Sequence, residues 1–411
     1  MPTPFDPAVA RDRFPALQRT DRGGPLVYFD GAAGSQCPAS VADAVRDYLL
    51  AHNANRGNVI VTSVETDERM EAAHRALADF LGVSDPGEIA FGQNMTSLTF
   101  ALSRALGRTW DVGDEVLVTR LDHDANVTPW MLAARDAGAV VRHVDIHPED
   151  CTLDLDSLRS QLTDRTRLVA VGYASNAVGT INPVREICRL ARDAGALSFI
   201  DAVHYAPHGQ LQAQDLGCDF LACSAYKFFG PHVGVLWGRR SQLETLDAYR
   251  LRPAPQDLPG RWMTGTQNHE GICGAAAAVE YVASLGEGTT RVERLGAAWR
   301  TLREHEVAIG DRLLRGLRDL PAFRLWGISD SSRWDERVPT FSLTHRERTP
   351  RELATALAGR GILTWPGNHY ALPLTERLGL EPQGTLRISL LHYNTAEEVD
   401  RLLEALRTLA D

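Results

Sequence analysis

From about residue 88 to residue 240 the chain alternates short β-rich runs with amphipathic helical stretches, and nothing else in it constrains the fold so tightly. Strands are expected at 88–91, 115–119, 140–144, 167–173, 197–200, 219–223 and 233–237. Helices are expected at 97–106, 127–137 and 184–193. Such alternation predicts an α/β domain built on a mostly parallel seven-stranded sheet covered on both faces. Ligands in such sheets lie beyond the carboxyl ends of the strands. Asn94, His123, Asn176, Asp201, Ser224 and Lys227 all fall at those ends.

After this region the residues 251–260 are rich in proline and break regular structure. A helical stretch over roughly 270–319 then leads to a smaller α+β unit, with strands at 340–344 and 386–390 and a closing helix at 396–409. The 411 residues are enough for one large and one small domain. We expect an N-terminal segment, 1–25, packing with the small domain, a large domain over 26–268, and a linking helix plus small C-terminal domain over 269–411. The formal net charge of −10, with no basic stripe, argues against nucleic-acid or anionic-membrane partners. The first residues lack a signal-peptide pattern, and no run of about 18 apolar residues occurs, so a cytoplasmic location is expected. The six cysteines form no CxxC pair, so neither a disulfide framework nor a metal site is expected.

Forty-three residues are lysine or arginine, and all but Lys227 are arginine. Salt bridges and solubility are served by either cation, so they do not explain one surviving lysine. Arginine stays protonated, with a pKa above ~12, whereas burial and neighbouring charge bring a lysine amine to roughly 7–8. Such an amine acts as a nucleophile or base and forms a Schiff base with a carbonyl, as in enzymes that use pyridoxal 5′-phosphate. That cofactor also needs a carboxylate for its pyridine nitrogen, N–H donors for its phosphate and a flat face for its ring. Asp201, ending the apolar run Ala-Leu-Ser-Phe-Ile, is the candidate carboxylate. Asn94, Met95 and Thr96 open a helix, where the free N–H groups and the macrodipole favour an anion. His123 is the candidate stacking ring. No GxGxxG, P-loop, HExxH or GxSxG motif competes.

Taken in order, these segments resemble the class V aminotransferase family of fold-type I pyridoxal-phosphate enzymes, and most of all cysteine desulfurases, selenocysteine lyases and isopenicillin N epimerase-like proteins. The resemblance runs from Val27-Tyr28-Phe29-Asp30 to the final helix. It implies the pyridoxal-phosphate-dependent transferase fold, an amino-acid substrate and a homodimer with shared active sites. It matches Lys227 to the Schiff-base lysine, Asp201 to the pyridine partner, His123 to the stacking histidine and Asn176 to an asparagine near the phenolic oxygen. Thr96 and Ser224 match phosphate ligands, and Gly265-Thr266 match a pair that reaches the phosphate from the neighbouring subunit. Arg387 matches the clamp on the substrate carboxylate, a bidentate task suited to a planar guanidinium. Arg56 resembles an arginine close to the substrate.

The chain departs from the desulfurase pattern at three places. His204 stands where a glutamine is usual, and Tyr226 stands in place of the histidine before the lysine, still offering a hydroxyl to the phosphate. In the loop Trp365-Pro-Gly-Asn-His-Tyr-Ala-Leu-Pro, Tyr370 occupies the position of the sulfur-accepting cysteine, with Asn368 and His369 beside it shaping the pocket. A phenol cannot carry a persulfide. The residues therefore favour a C–S or C–Se β-lyase without an enzyme persulfide, Tyr370 being a candidate proton donor to the leaving group. Sulfur removal through another acceptor, epimerisation, transamination and decarboxylation are alternatives. So is a non-catalytic scaffold or sensor of the same fold.

Overall fold

The computed structural model describes residues 5–21 and 24–410; residues 1–4 and 22–23 of the expected N-terminal segment lie outside the described residues, as does residue 411. Seven strands form the main sheet: β1 (Ile89–Gly92), β2 (Glu115–Thr119), β3 (Val140–Val144), β4 (Thr166–Gly172), β5 (Leu197–Asp201), β6 (Phe220–Ser224) and β7 (Gly234–Gly238). Their order is β1-β7-β6-β5-β4-β2-β3, and β7 alone runs antiparallel to its neighbours. Alternate residues of these strands feed two separate cores. Val116, Val118, Leu168 and Ala170 face one, while Leu117, Val169 and Val171 face the other. Burial on both faces makes the strands read as continuous apolar runs, each large side chain contributing about 1.5–3 kcal/mol.

Helices cover both faces, among them α1 (Val61–Leu81), α2 (Met95–Gly107), α3 (Thr128–Ala137) and α4 (Val184–Asp193). The helical stretch expected at 270–319 is two helices, α5 (His269–Ala283) and α6 (Arg291–Arg318). Gly286 and Gly288 lie in the break, and a capping box of Thr290 and Glu293 restarts the helix.

The smaller unit is a four-stranded antiparallel sheet of β8 (Phe323–Trp326), β9 (Thr340–His345), β10 (Trp365–Gly367) and β11 (Thr385–Ser389), in the order β8-β9-β11-β10. The closing helix α7 (Ala396–Arg407) buries Val399, Leu402, Leu403 and Leu406, one helical face, against that sheet's core. The segment from Trp365, read from sequence as a loop, begins as strand β10, because Trp365 pairs with Arg387 of β11. The N-terminal segment touches both units. Arg11 pairs with Glu398 at 2.8 Å, while Phe14 packs against Phe229, Tyr281 and Tyr393. Val27 and Phe29 belong to the small unit's core and Tyr28 to the large one's.

Candidate active site

A cavity of about 680 Å³ opens at the carboxyl end of the main sheet, where the alternation placed it. Lys227 follows β6 on a single turn, Ala225–Lys227, and is buried. Its Nζ donates to the carbonyls of Ala32 and Ala33, the latter at 3.2 Å. Burial lowers its pKa to about 7, helped by the Arg387 charge and opposed by Asp201 and Asp30.

Asp201 ends β5, and its Oδ1 accepts from the Val203 N–H at 2.9 Å. Burial raises its pKa to about 6, against the pull of that hydrogen bond and of Lys227. Beside it stands a second buried carboxyl, Asp122, held by Thr119 Oγ1 at 2.8 Å and by the Gly172 N–H. Burial, with the Asp201 charge adding to it, pushes Asp122 up to about 8. Both carboxyls line the cavity, and burial raises Asp122 further than Asp201.

His123 lines the cavity, and its Nδ1 accepts from the Ala125 N–H at 3.0 Å, which leaves the ring proton on Nε2. Burial lowers its pKa to about 4, with Lys227 and Arg387 acting the same way, so the ring is neutral and flat. At the other end, Asn94 caps α2 by accepting from Ser97 N at 2.8 Å, and Met95 N donates to Ser224 Oγ at 2.9 Å. Thr96 lines the cavity between them. The start of β7 is pressed against this turn: a Cβ on Gly234 would lie 2.3 Å from the carbonyl carbon of Asn94, so only glycine fits there.

The small unit meets the cavity wall at Asn176. Arg387 of β11 is buried and donates to the Asn176 carbonyl at 2.9 Å, and the Asn176 side chain donates to the His369 carbonyl at 2.8 Å. Burial lowers the Arg387 pKa to about 10. His369 Nε2 lies 2.9 Å from Thr385 Oγ1, and burial holds this imidazole well below its ordinary pKa. His369 and Tyr370 both have positive φ, 58° and 57°, each costing roughly 1 kcal/mol or more. Asn368 Oδ1, accepting from Tyr370 N, and Asp124 N, donating to the Tyr370 carbonyl at 2.6 Å, hold this strained turn. The Tyr370 ring is largely exposed and faces His123 at 5.5 Å.

Most candidates from the large unit thus converge on one cavity; Arg387, Asn368, His369 and Tyr370 adjoin it without lining it, and Arg56, Gly265 and Thr266 do not join them. Arg56 is at the surface, bound to Asp67 at 2.6 Å. Gly265 and Thr266 are exposed, Thr266 lining an adjoining cleft with Asn94 and His232. Tyr226 lines the cavity under a stacked His232, with ring centroids 4.9 Å apart. His204 is buried, is held well below its ordinary pKa by burial, and has its Nε2 3.0 Å from Thr340 Oγ1. Behind it His208 and Glu306 form a buried pair at 2.9 Å. Asp122, His232 and this pair escaped sequence reasoning. Adjacency to His123 was the one signal for Asp122, and Phe-Gly-Pro-His after the lysine was the one for His232.

The residues fit pyridoxal phosphate. A buried amine, a carboxylate, a neutral ring and a capped helix start share one chamber, and three buried polar atoms in and beside it, Asn176 Oδ1, Arg387 Nε and Asp30 Oδ1, have no partner of their own. Among the described residues no group of three or more His, Cys, Asp or Glu side chains could hold a metal ion, and no helix is long and apolar enough to cross a membrane.

The Lys227 pKa makes a prediction. Only the neutral amine attacks a carbonyl carbon, so cofactor uptake by the apoprotein should rise with pH to a midpoint near 7 and then level off. Stopped-flow absorbance checks this. A rate still climbing toward the ordinary lysine value of 10.5 would contradict it.

The sequence model of the family "Aminotransferase class-V" matches residues 27–402. A probable cysteine desulfurase of Xylella fastidiosa is 34% identical, over 98% of this chain and 96% of its own length. A cysteine desulfurase of Pectobacterium atrosepticum is 31% identical, over 97% of both chains. The apo structure of a cysteine desulfurase from Thermococcus onnurineus superposes with a TM-score of 0.88 at 27% identity, covering 100% of this chain and 99% of that one. A cysteine desulfurase of Escherichia coli superposes with a TM-score of 0.85 at 27% identity, covering 98% of each.

Proposed function

Since the chain belongs to the class-V aminotransferase family and is a pyridoxal-phosphate-dependent enzyme, we propose that it is a C–S β-lyase that acts on cysteine or a cysteine-derived amino acid and stores no sulfur on itself. The observation that carries this reading is the cavity wall, which contains no cysteine among the described residues; the sequence resemblance, which matches Tyr370 to the acceptor cysteine, supports it.

Pyridoxal phosphate bound here supplies a sink for the electrons left at Cα when a proton departs. The chain's own residues do the rest. Lys227 would hold the cofactor through Nζ, and its amine would take the Cα proton, a task for which a pKa near 7 suits it. Asp201 would hold a proton on the ring nitrogen. His123 would cover the ring, and Asn94, Thr96 and Ser224 would hold the phosphate. Arg387 fixes the substrate carboxylate, its unpartnered Nε being free to donate. With the Cα proton gone, the Cβ–S bond breaks and the sulfur leaves with its electron pair. Tyr370, at the mouth, is the candidate to give the leaving sulfur its proton. For cysteine, one water is consumed and pyruvate, ammonia and sulfide are released, with no net oxidation.

The relatives' names favour a second reading, in which sulfur passes to an acceptor outside the cavity and alanine is formed. Product analysis with cysteine, cystine and cysteine conjugates separates the two. We expect an α-keto acid and ammonia in equal amounts. Alanine would replace this reading with sulfur transfer, and a substrate of inverted Cα configuration would replace it with epimerisation.

The working unit of this reading is a homodimer. Gly265-Thr266 would reach the partner's phosphate and Arg56 the partner's substrate. The exposed run Val59, Ile60 and Val61, 93%, 56% and 70% accessible, supports a covered surface near Arg56. Light scattering should give twice the chain mass, and a monomer that binds cofactor and turns over would contradict it.

A further inference from the structure

We infer that His232 is a phosphate ligand of the cofactor site, supplying the imidazole that the residue before the lysine does not. Tyr226 occupies that preceding position. Its ring is held between Gly34, where a Cβ would sit 3.4 Å away, and the His232 ring stacked on it at 4.9 Å and 17°. His232 therefore lies beside Tyr226 on the cavity wall.

Strand register places it at the phosphate end. Gly234 of β7 pairs with Gly92 of β1 in an antiparallel ladder. Two residues back along one strand and two forward along the other bring His232 opposite Asn94, the cap of α2. The near-contact of Gly234 with the Asn94 backbone confirms that these segments touch there. His232 also lines the adjoining cleft with Asn94 and Ser97.

The chemistry of the wall calls for such a donor. A phosphate carries close to two negative charges at neutral pH, yet Asn94, Thr96, Ser97 and Ser224 are all neutral. Lys227 and Arg387 are committed to the aldehyde and the substrate carboxylate. His232 is the one histidine at this end, and it donates N–H to phosphate oxygen in either neutral tautomer or as a cation.

This inference rests on the cofactor, not on the reaction, and the wild-type titration tests that premise separately. The experiment titrates the apoprotein with pyridoxal phosphate and, in parallel, with pyridoxal, which lacks the phosphate. His232→Phe keeps an aromatic stack on Tyr226 but removes the donor, and His232→Ala removes both. We expect both variants to bind pyridoxal phosphate about ten- to a hundredfold more weakly than wild type, with the affinity for pyridoxal unchanged. Unchanged affinity for pyridoxal phosphate in His232→Phe would overturn the inference, leaving the ring as a prop for Tyr226. Equal weakening toward both ligands would overturn it too.

Discussion

Lys227→Arg should abolish turnover, with a loss at or beyond the upper end of the ~10²–10⁴-fold usual for a proton-transfer group, because nucleophile and base are lost together. Arginine keeps the charge but stays protonated. The chain has no second lysine to take over. The buried pocket that lowers Lys227 to about 7 would hold a charged guanidinium instead, against the Ala32 and Ala33 carbonyls. Borohydride reduction of the wild type should leave the cofactor on the peptide containing Lys227, and reduction of the variant should leave it on none. Lys227→Ala, with circular dichroism as a check on folding, should regain part of its proton-removal rate when a small primary amine is added. A label on another residue, or turnover retained by Lys227→Arg, would contradict the assignment.

Asp201→Ala should slow Cα-proton removal by about 10²–10³-fold, because without its carboxylate the cofactor's ring nitrogen would lose the proton that makes the ring an electron sink. The loss falls on the chemical step, since the helix start and Lys227 still hold the cofactor in place. Asp122 does not substitute for it. Removing Asp201 takes away the like charge that helps raise the Asp122 pKa, but Asp122 stays tied to Thr119 and the Gly172 N–H. Exchange of the substrate Cα proton in deuterated water reads the step directly, and near-normal exchange in the variant would count against the role of Asp201.

The sequence disclosed what local pattern carries. Six of the seven strands are buried along most of their length and appear as apolar runs, while β3, at the sheet's edge, shows only its β-branched residues; all seven were legible to within a residue or so. The first was expected at 88–91 but spans Ile89–Gly92, because Glu88 turns aside to accept from Trp237 Nε1 and Arg240 N. Lys227 and Asp201 were legible because their chemistry is peculiar to lysine and carboxylate at strand ends. Long-range packing was not legible. The His208–Glu306 pair joins residues 98 apart along the chain, and β10 forms only because Arg387 brings a strand edge to Trp365. His232 was missed for the same reason, since its position follows from an antiparallel register and not from neighbours in sequence. Arg56, Gly265 and Thr266 do not line the cavity of their own chain: Arg56 is bound to Asp67, and Thr266 lines the adjoining cleft with Asn94 and His232.

In the proposed reaction sulfur leaves this site without resting on the protein. A single turnover with one equivalent of L-cysteine, followed by intact-protein mass and product assay, tests it most directly. We predict an unchanged protein mass, with pyruvate and sulfide formed in equal amounts. Alanine, with a protein heavier by one sulfur atom on Cys37 or any other cysteine, would contradict it.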